Sequence, residues 1–365
     1  MGFVVAAGEY RRRVRLFRCP RCSTVAFIET TACGGCGLEM GLHPPTLSMR
    51  AAPAQGTDID GTWWFPCVNR PWDCNWLAQA DSGSGRCLAC RLTRNRPDND
   101  DTLALEKLAS ASADKRRLLV QLADLGLPVT PWYEKEGGLG FDLLSSRSTG
   151  SRVTIGHANG IVTIDLAESL DAHREALRIS LGEPYRTMLG HFRHEVGHYY
   201  QWILVEQTDW IDECRTVFGD ERASYRDAIA RHYRTGAPRD WAENFISEYA
   251  TMHPWEDFAE CFAHYLHLTA TLATAAGGNL SVWMEGVPQV PDGEIRPRTS
   301  YADASMDQIL ADWLPLAMFF NRVNNAMGKR DLYPFGISPP VARKLDFVHR
   351  VVTASRVEHP LSVAS

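Results

Sequence analysis

Five consecutive residues, His194-Glu195-Val196-Gly197-His198, place two imidazoles and a carboxylate at a spacing that suits metal chemistry. Residues four apart on an α-helix point from nearly the same face, so His194 and His198 could bind one zinc ion together. Glu195 would lie about 100° round the helix, where it could take a proton from water instead of binding the metal. The pattern predicts a hydrolytic zinc site on one helical turn.

The residues around this motif have the periodicity of a helix. Pro184 suits a first helical turn, because its missing N–H would be unpaired there anyway. Apolar side chains then recur at three- and four-residue spacing, as on one buried face: Tyr185, Met188, Leu189, Phe192, Val196, Tyr199 and Ile203. The same stripe fits a histidine that is simply buried in a core, so it predicts a long helix and leaves the chemistry open.

A catalytic zinc site needs a third protein ligand and one open position. A carboxylate on a second helix could supply that ligand, and residues 249–264 offer three candidates: Glu256, Asp257 and Glu260. Pro254 marks a helix start, and Glu256 and Glu260 fall on one face. The alternative is an acidic surface. Most neighbours are apolar, however, and carboxylates in such surroundings usually have a partner.

Eight of the ten cysteines lie before residue 91 and form two sets of four. The first set is Cys19, Cys22, Cys33 and Cys36, and the second is Cys67, Cys74, Cys87 and Cys90. Four thiolates complete a tetrahedral zinc site and leave no open position, so both sets are predicted to be structural. The alternative is a disulfide framework, which would need an oxidising compartment, and no export signal is visible.

Two resemblances join these features. Residues 249–262 resemble the second zinc helix of gluzincin peptidases, including the anthrax lethal factor group. The residues that carry this likeness are Tyr249, Glu256, Phe258-Ala259-Glu260 and Phe262. This resemblance implies that Glu256 is the third zinc ligand, that Glu260 orients a ligand histidine and that Tyr249 stabilises the oxyanion.

Nearly the whole chain is similar to a bacterial family of zinc-binding metallopeptidases that carry an N-terminal zinc-ribbon region. The likeness is carried by residues 190–200, residues 253–260 and the paired cysteines. It implies an α+β, zincin-like fold: a mainly helical metallopeptidase domain with a small β-sheet, preceded by a small zinc-ribbon or rubredoxin-like module. We place the zinc-ribbon region at residues 1–96 and the metallopeptidase domain at residues 97–365.

Charge is unevenly distributed between these regions. Residues 1–96 carry a net charge of +5 and the remainder −11. The basic region could meet nucleic acid, could meet another acidic partner, or could dock on the acidic remainder. Aromatic residues around the second cysteine set could cover a metal site or stack on bases: Trp63, Trp64, Phe65, Trp72 and Trp76.

No segment reaches about 18 uninterrupted apolar residues, the length that a membrane-spanning helix needs. The first residues also lack the order of a secretion signal, because the Arg-rich run follows the apolar stretch. We therefore expect a cytoplasmic location and no membrane partner.

The remaining elements are predicted from apolar runs and turn residues. Helices are expected from Thr102 to Gly126, over residues 165–178, over residues 306–327 as a buried helix, and over residues 340–353. Strands are expected at residues 141–144, 153–155 and 161–164, with a hairpin turn at Asn159-Gly160. Loops or links are expected at residues 44–61, 91–101 and 277–301, and a mobile tail from residue 354.

In zincins, substrate lies against an edge strand that precedes the motif helix. By that resemblance, residues 162–165 are our candidate edge strand, with substrate adding as a further strand. The alternative is that these residues form an ordinary internal hairpin.

The interpretation that these residues favour is metal-assisted hydrolysis of a peptide or protein substrate. Zinc held by His194, His198 and Glu256 would lower the pKa of its water towards about 7, and Glu195 would take the proton and pass it to the leaving amine. Tyr249 would donate to the oxyanion. One catalytic and two structural zinc ions are expected.

Two alternative functions remain. A DNA-associated protease of the SprT-like kind is favoured by the basic N-terminal region and disfavoured by the acidic remainder. A non-enzymatic zinc-binding scaffold is the other, and the intact Glu195 argues against it, because a scaffold could keep its ligands and lose the base.

Overall fold

The computed structural model describes residues 17–151, 153–167, 187–287, 292–358 and 360–361. The described residues divide into two compact units: residues 17–266 with residues 333–361, and residues 267–332. The predicted helix start at Pro184, residues 168–178 of the predicted helix, and residues 359 and 362–365 of the predicted tail lie outside the described residues.

The cysteine-rich region is built from short antiparallel strands. β1 (Phe17–Arg18) pairs with β2 (Val25–Ala26), β3 (Met40–His43) with β4 (Ser48–Ala51), and β6 (Thr62–Pro66) with β5 (Thr57–Ile59) and β7 (Leu77–Gln79). The prediction that residues 44–61 form a linker was wrong, because β4 and β5 lie within them. A small apolar core holds this part together: Ala52, Ile59, Trp64 and Leu77.

Four strands form the main sheet of the larger unit, in the order β10-β11-β9-β8. They are β8 (Thr93–Asn95), β9 (Gly140–Leu144), β10 (Gly156–Ala158) and β11 (Ile161–Asp165). β9 runs parallel to β8 and β11, whereas β10 is antiparallel to β11. Residues 91–101 are therefore not simply a link, because β8 within them pairs with β9.

The hairpin between β10 and β11 was predicted correctly from Asn159-Gly160. Both residues have positive φ, 49° and 85°, as a two-residue hairpin turn requires. The predicted strand at residues 153–155 was wrong, because pairing begins only at Gly156. The predicted edge strand was also wrong: β11 is internal, with partners on both sides, and β10 occupies the edge.

Helices supply most of the larger unit. In chain order they are α1 (Leu88–Arg91), α2 (Thr102–Leu125), α3 (Ser146–Thr149), α4 (Met188–Gln201), α5 (Ile211–Phe218), α6 (Tyr225–Thr235), α7 (Pro254–Gly277, which runs on into the second unit) and, after the helix α8 (Met306–Ala326) of the second unit, α9 (Pro339–Ala354). A π-helical turn, Trp202–Glu206, extends α4. Single 3₁₀ turns lie at Arg70–Trp72, Ala80–Ser82, Trp241–Glu243 and Tyr249–Thr251.

The ends of these helices follow local rules. The Asp101 side chain accepts from the Ala104 N–H at the start of α2, and Gly126 ends that helix with a φ of 77°, as predicted. Thr187 caps α4 through the Gly190 N–H. These caps satisfy backbone groups that would otherwise be unpaired at the helix ends.

The motif helix α4 packs directly against α7. A Cβ at Gly197 would lie 3.0 Å from Ala259 Cα and 3.1 Å from the Ala259 carbonyl oxygen, so glycine permits this close approach. Aromatic rings fill the space beside the contact, with Tyr200 stacked on Phe262 at 5.5 Å. Gly197 therefore faces the second helix and serves helix packing.

The second unit contains a hairpin of β12 (Val282–Met284) and β13 (Gly293–Ile295), followed by α8 (Met306–Ala326). The hairpin lies where a surface loop was predicted over residues 277–301. α8 contains Pro315, as predicted, but only part of it is buried. Its exposed apolar residues are Leu314, Met318, Phe319 and Val323.

The architecture is α+β, as predicted, with many helices and several small sheets. Among the described helices, none is both long enough and apolar enough to cross a membrane.

Candidate active site

His194 and His198 on α4 meet Glu256 in the first turn of α7. His194 Nε2 lies 3.0 Å from Glu256 Oε2 and 3.2 Å from His198 Nε2, and His198 Nε2 lies 3.4 Å from Glu256 Oε2. A tetrahedral zinc with bonds of about 2.0–2.1 Å separates its ligand atoms by about 3.3 Å. The three side chains thus fit one zinc ion with nitrogen and oxygen donors.

Glu256 is held in this position by a residue that sequence analysis missed. The Tyr225 hydroxyl, at the start of α6, donates to Glu256 Oε1 at 2.8 Å, while Oε2 faces both imidazoles. Tyr225 comes 31 residues before Glu256. No local pattern links it to the site, so only the tertiary fold brings it there.

Glu260 and Asp257, the rival ligands, both point to other partners. Glu260 Oε1 accepts from His194 Nδ1 at 2.7 Å, and its Oε2 accepts from the Ser247 hydroxyl at 2.6 Å. Asp257 forms a buried ion pair with Lys344 at 2.6 Å, and Lys344 also donates to the Asn244 carbonyl. Glu260 is placed to orient His194, and Asp257 joins α7 to α9.

Glu195 is buried beside the two imidazoles. Its Oε1 lies 3.3 Å from His191 Nε2, one helical turn earlier. Its Oε2 is buried and has no hydrogen-bond partner among the described residues. A buried carboxylate oxygen normally has a partner, and a water at a metal site in the cleft would provide one.

The charges of the site depend on one another. Burial disfavours ionisation of Glu256, but the neighbouring His198 and His194 outweigh it and hold the pKa of Glu256 well below its usual value. Burial likewise opposes the charge on His194, yet hydrogen bonds to Glu256 and Glu260 raise the pKa of His194 well above its usual value. The carboxylates thus favour positive charge at this position, whether on a proton or on a metal ion.

Tyr249 lies beside this cluster. Its ring centroid is 5.8 Å from that of His194, and it lines the same cleft. Burial, together with the charge of Glu256, raises the pKa of Tyr249 well above its usual value. The phenol therefore keeps its proton and can donate a hydrogen bond.

The cleft in front of these residues has a volume of about 430 Å³. The β10 edge strand forms one wall, and α4 with its π-helical extension forms another. Beyond His194, His198 and Glu256, its lining includes side chains that sequence analysis did not single out: His157, Gln201, Trp202, Glu206 and Trp255. Trp202 and Glu206 continue the four-residue spacing of His194 and His198, which is a signal that could have found them.

The first cysteine set forms a compact cluster near the surface. Cys19 Sγ lies 3.7 Å from Cys36 Sγ, and Cys22 Sγ lies 3.4 Å from Cys33 Sγ. Four sulfurs around zinc at about 2.3 Å are separated by about 3.8 Å, whereas a disulfide requires about 2.05 Å. All ten cysteines are free thiols in the structure, so it holds no disulfide framework.

The second set is more deeply buried and touches α2. Cys74 Sγ lies 3.6 Å from both Cys87 Sγ and Cys90 Sγ. Lys115 on α2 is 1% exposed, donates to the Thr93 hydroxyl, and has its pKa lowered by burial to about 8. Cys90, Cys87 and Cys74 favour its charged form. Arg116 donates to the Asp73 carbonyl at 3.0 Å, so α2 also holds the segment that carries Cys74.

The aromatic residues near the second set do not form one surface. Trp76 and Trp64 are buried, whereas Trp63 and Trp72 are 50% and 43% exposed. The two cysteines outside these sets, Cys214 and Cys261, are buried. His253 lies 2.9 Å from the Ala223 carbonyl oxygen, which makes it part of the packing around α7.

Comparison with known proteins supports this description. Residues 104–351 match the model of a family described as putative zinc-binding metallo-peptidase, and residues 16–101 match a zinc-ribbon domain. Uncharacterized proteins of Mycobacterium tuberculosis and Mycobacterium bovis are 41% identical over 342 residues, which cover 93% of this chain and 95% of theirs. No solved structure matches the chain.

The family match covers more than half of the chain, including all three residues of the His194, His198 and Glu256 cluster. The zinc-ribbon match covers both cysteine sets. This protein belongs to the zinc-binding metallo-peptidase family and carries an N-terminal zinc-ribbon domain.

Proposed function

We propose that this protein hydrolyses peptide bonds at a gluzincin-type zinc site formed by His194, His198 and Glu256. The observation that carries the proposal is the buried Glu195 carboxylate, whose Oε2 lacks a partner among the described residues, beside three donors at tetrahedral spacing. A general base within reach of an open metal position is what hydrolysis requires. A zinc scaffold would need neither the base nor the cleft.

When bound, zinc would supply the Lewis acidity that lowers the pKa of water and polarises a peptide carbonyl. Glu195 Oε2 takes a proton from the attacking water and returns it to the leaving amine. The Tyr249 phenol, which keeps its proton, donates to the oxyanion that develops on the carbonyl. Glu260 holds His194 through Nδ1, and Tyr225 holds Glu256 through Oε1.

The peptide lies along β10 as an additional strand. β10 has a pairing partner only on its β11 side within the described sheet, so its outer edge offers backbone donors and acceptors. Its three residues line the cleft together with the metal ligands. This proposal replaces β11 with β10 as the strand that meets substrate.

Each cysteine set holds one structural zinc ion, which makes three zinc ions per chain with the one in the cleft. Sulfur separations of 3.4–3.7 Å fit tetrahedral coordination. Backbone N–H groups also approach the sulfurs, from Arg21 and Gly35 in the first site and Cys87 in the second. Such hydrogen bonds stabilise thiolates.

Nucleic acid stays an alternative partner that we do not favour. Only Trp63 and Trp72 of the aromatic group present large exposed surfaces, and Arg96 already covers the Trp72 ring at 5.0 Å. Retention on DNA that falls steeply with rising salt would support the DNA-associated alternative.

The test combines metal content with hydrolysis of a proteome-derived peptide library. We expect three zinc ions and cleavage for the wild type, three ions without cleavage for Glu195→Gln, and two ions without cleavage for His194→Ala with Glu256→Ala. Two ions in every protein, or cleavage that survives in Glu195→Gln, would refute the proposal.

A further inference from the structure

Four residues at four-residue spacing follow one face of the motif helix: His194, His198, Trp202 and Glu206. All four line the cleft, because the π-helical turn Trp202–Glu206 continues the face of α4 past its last regular turn. At about 1.5 Å per residue, Glu206 lies about 12 Å along the axis from His198. Besides Glu195 and Glu256, the cleft thus has a third carboxylate, which lies well beyond the proposed metal ligands.

Glu206 is half-buried and has little to balance its charge. Its Oε1 accepts from Trp255 Nε1 at 3.1 Å. Within the described parts of the chain, no lysine or arginine forms an ion pair with it. Arg215 is bound through two nitrogens to Glu221, at 3.1 and 2.6 Å. A partly buried carboxylate without a cationic partner is costly, and a bound cation would remove that cost.

The surroundings of Glu206 suit an organic cation. Trp202 and Trp255 bring indole rings to the same cleft, and Tyr225 lies 5.9 Å from Trp255. Aromatic faces attract ammonium and guanidinium groups and also pack on the methylene stems of lysine and arginine. His157, on the opposite wall, has its pKa lowered to about 4 by burial, so it does not add a competing positive charge.

We propose that Glu206, with Trp202 and Trp255, forms a subsite for a positively charged group of the peptide. The group is a lysine or arginine side chain, or a free N-terminal amine. This inference rests on the proposed peptidase function and names the substrate class of that site. Because an extended peptide advances about 3.3 Å per residue, the charged group stands within about four residues of the scissile bond.

A purely structural role for Glu206 makes a different prediction. If Glu206 only anchors the Trp255 indole, its loss would slow the cleavage of all peptides to a similar degree. If it binds a cation, its loss would selectively slow the cleavage of positively charged peptides. The comparison of matched peptides therefore separates the two roles.

The first experiment profiles cleavage of a proteome-derived peptide library by wild type, Glu206→Gln and Glu206→Lys. We expect the peptides cleaved by the wild type to be enriched in lysine and arginine at one position near the cleavage site. This enrichment should disappear for Glu206→Gln. For Glu206→Lys, aspartate and glutamate should be enriched at that position instead. Glu243→Gln, which changes an exposed glutamate outside the cleft, should keep the wild-type profile. Cleavage without a charge preference overturns the subsite alone, whereas no cleavage by wild type overturns the proposed function.

The second experiment measures binding without turnover, in the Glu195→Gln background. Fluorescent peptides that contain lysine or norleucine at the enriched position, each with a free or acetylated N-terminus, are titrated against this variant with and without Glu206→Gln. We expect Glu206→Gln to lower the binding affinity for the lysine peptides about tenfold or more and to change the affinity for the norleucine peptides little. Sensitivity to acetylation in place of lysine would assign the subsite to the N-terminal amine. An equal loss of binding affinity for all four peptides would overturn the proposal.

Discussion

The cysteine sites and the cleft site both gather metal-binding atoms at tetrahedral spacing, yet they are built differently. Cys19 and Cys36 are 17 residues apart and Cys67 and Cys87 are 20 apart, whereas His194 and Glu256 are 62 apart on two helices. The cysteine sites offer four thiolates and no base. The cleft offers three donors, a buried carboxylate and space for a substrate.

This difference matches two uses that proteins make of zinc, one structural and one catalytic. A closed set of four thiolates stabilises a short, loop-rich segment that has little core of its own. An open set of three ligands leaves a coordination position for chemistry. We therefore expect changes at the cleft to alter activity more than stability, and changes at the cysteine sites to do the reverse.

The largest expected effect is that of Glu195→Gln on turnover. Loss of the base should lower kcat by about a thousandfold, because general-base catalysis contributes about 10²–10⁴. Zinc content and melting temperature should stay close to the wild-type values, since Glu195 Oε2 has no hydrogen-bond partner among the described residues. The measurement is kcat on the best library peptide, with Glu243→Gln as the matched control. Retained turnover would place the base elsewhere.

Removal of one cleft ligand should remove one zinc ion from the protein. Glu256→Ala takes away the carboxylate whose Oε2 lies within 3.4 Å of both imidazoles, so we expect zinc to fall from three ions to two. Tyr225→Phe is a milder variant for comparison, because it removes only the hydrogen bond to Glu256 Oε1. It should lower the affinity for zinc at the cleft without eliminating zinc binding. Metal analysis after dialysis checks both, and three retained ions in Glu256→Ala would reject this ligand.

The two cysteine sites should differ in their effect on stability. Cys74 is buried in a segment that Arg116 binds, whereas Cys22 is exposed. Cys74→Ser should therefore lower the free energy of unfolding by about 4 kcal/mol or more, and Cys22→Ser by less. Chemical denaturation with zinc analysis tests this, and equal losses in the two variants would contradict the comparison.

The close contact between α4 and α7 links stability to the cleft. In Gly197→Ala, the new methyl group would press on the Ala259 backbone, so we expect a loss of about 1–3 kcal/mol together with weaker binding of one zinc ion. Gly336→Ala is the control, because no atom lies within 4 Å of its added Cβ. A stable Gly197→Ala with normal zinc content would show that the helices have room to separate.

The smallest effect is expected for Lys115→Met. Its ammonium group is buried beside three thiols of the second cysteine site, so its loss should speed the release of zinc from that site to a chelator by severalfold. The first site, which Lys115 does not approach, should release zinc at the wild-type rate. Lys135→Met, at an exposed position, controls for the loss of charge.

Several elements were predicted correctly because their signals are local. The start and end of α2, the Asn159-Gly160 hairpin and the start of α7 at Pro254 depend on neighbours within a few residues. Predictions failed where pairing decided the outcome. Residues 44–61 contain too few apolar residues to predict strands, yet β4 and β5 form there because partners lie beside them.

The sequence by itself determined the chemistry that this chain can support. The motif, the cysteine spacing and the likeness of residues 249–262 identified the donor sets, because knuckles and helical turns place donors within a few residues of one another. Tertiary structure alone decided that Tyr225 supports Glu256, that β10 is an edge of the sheet, and that Glu206 lines the cleft. Those relations join residues far apart in the chain, and only the packing of α4 against α7 and the pairing order of the sheet bring them together.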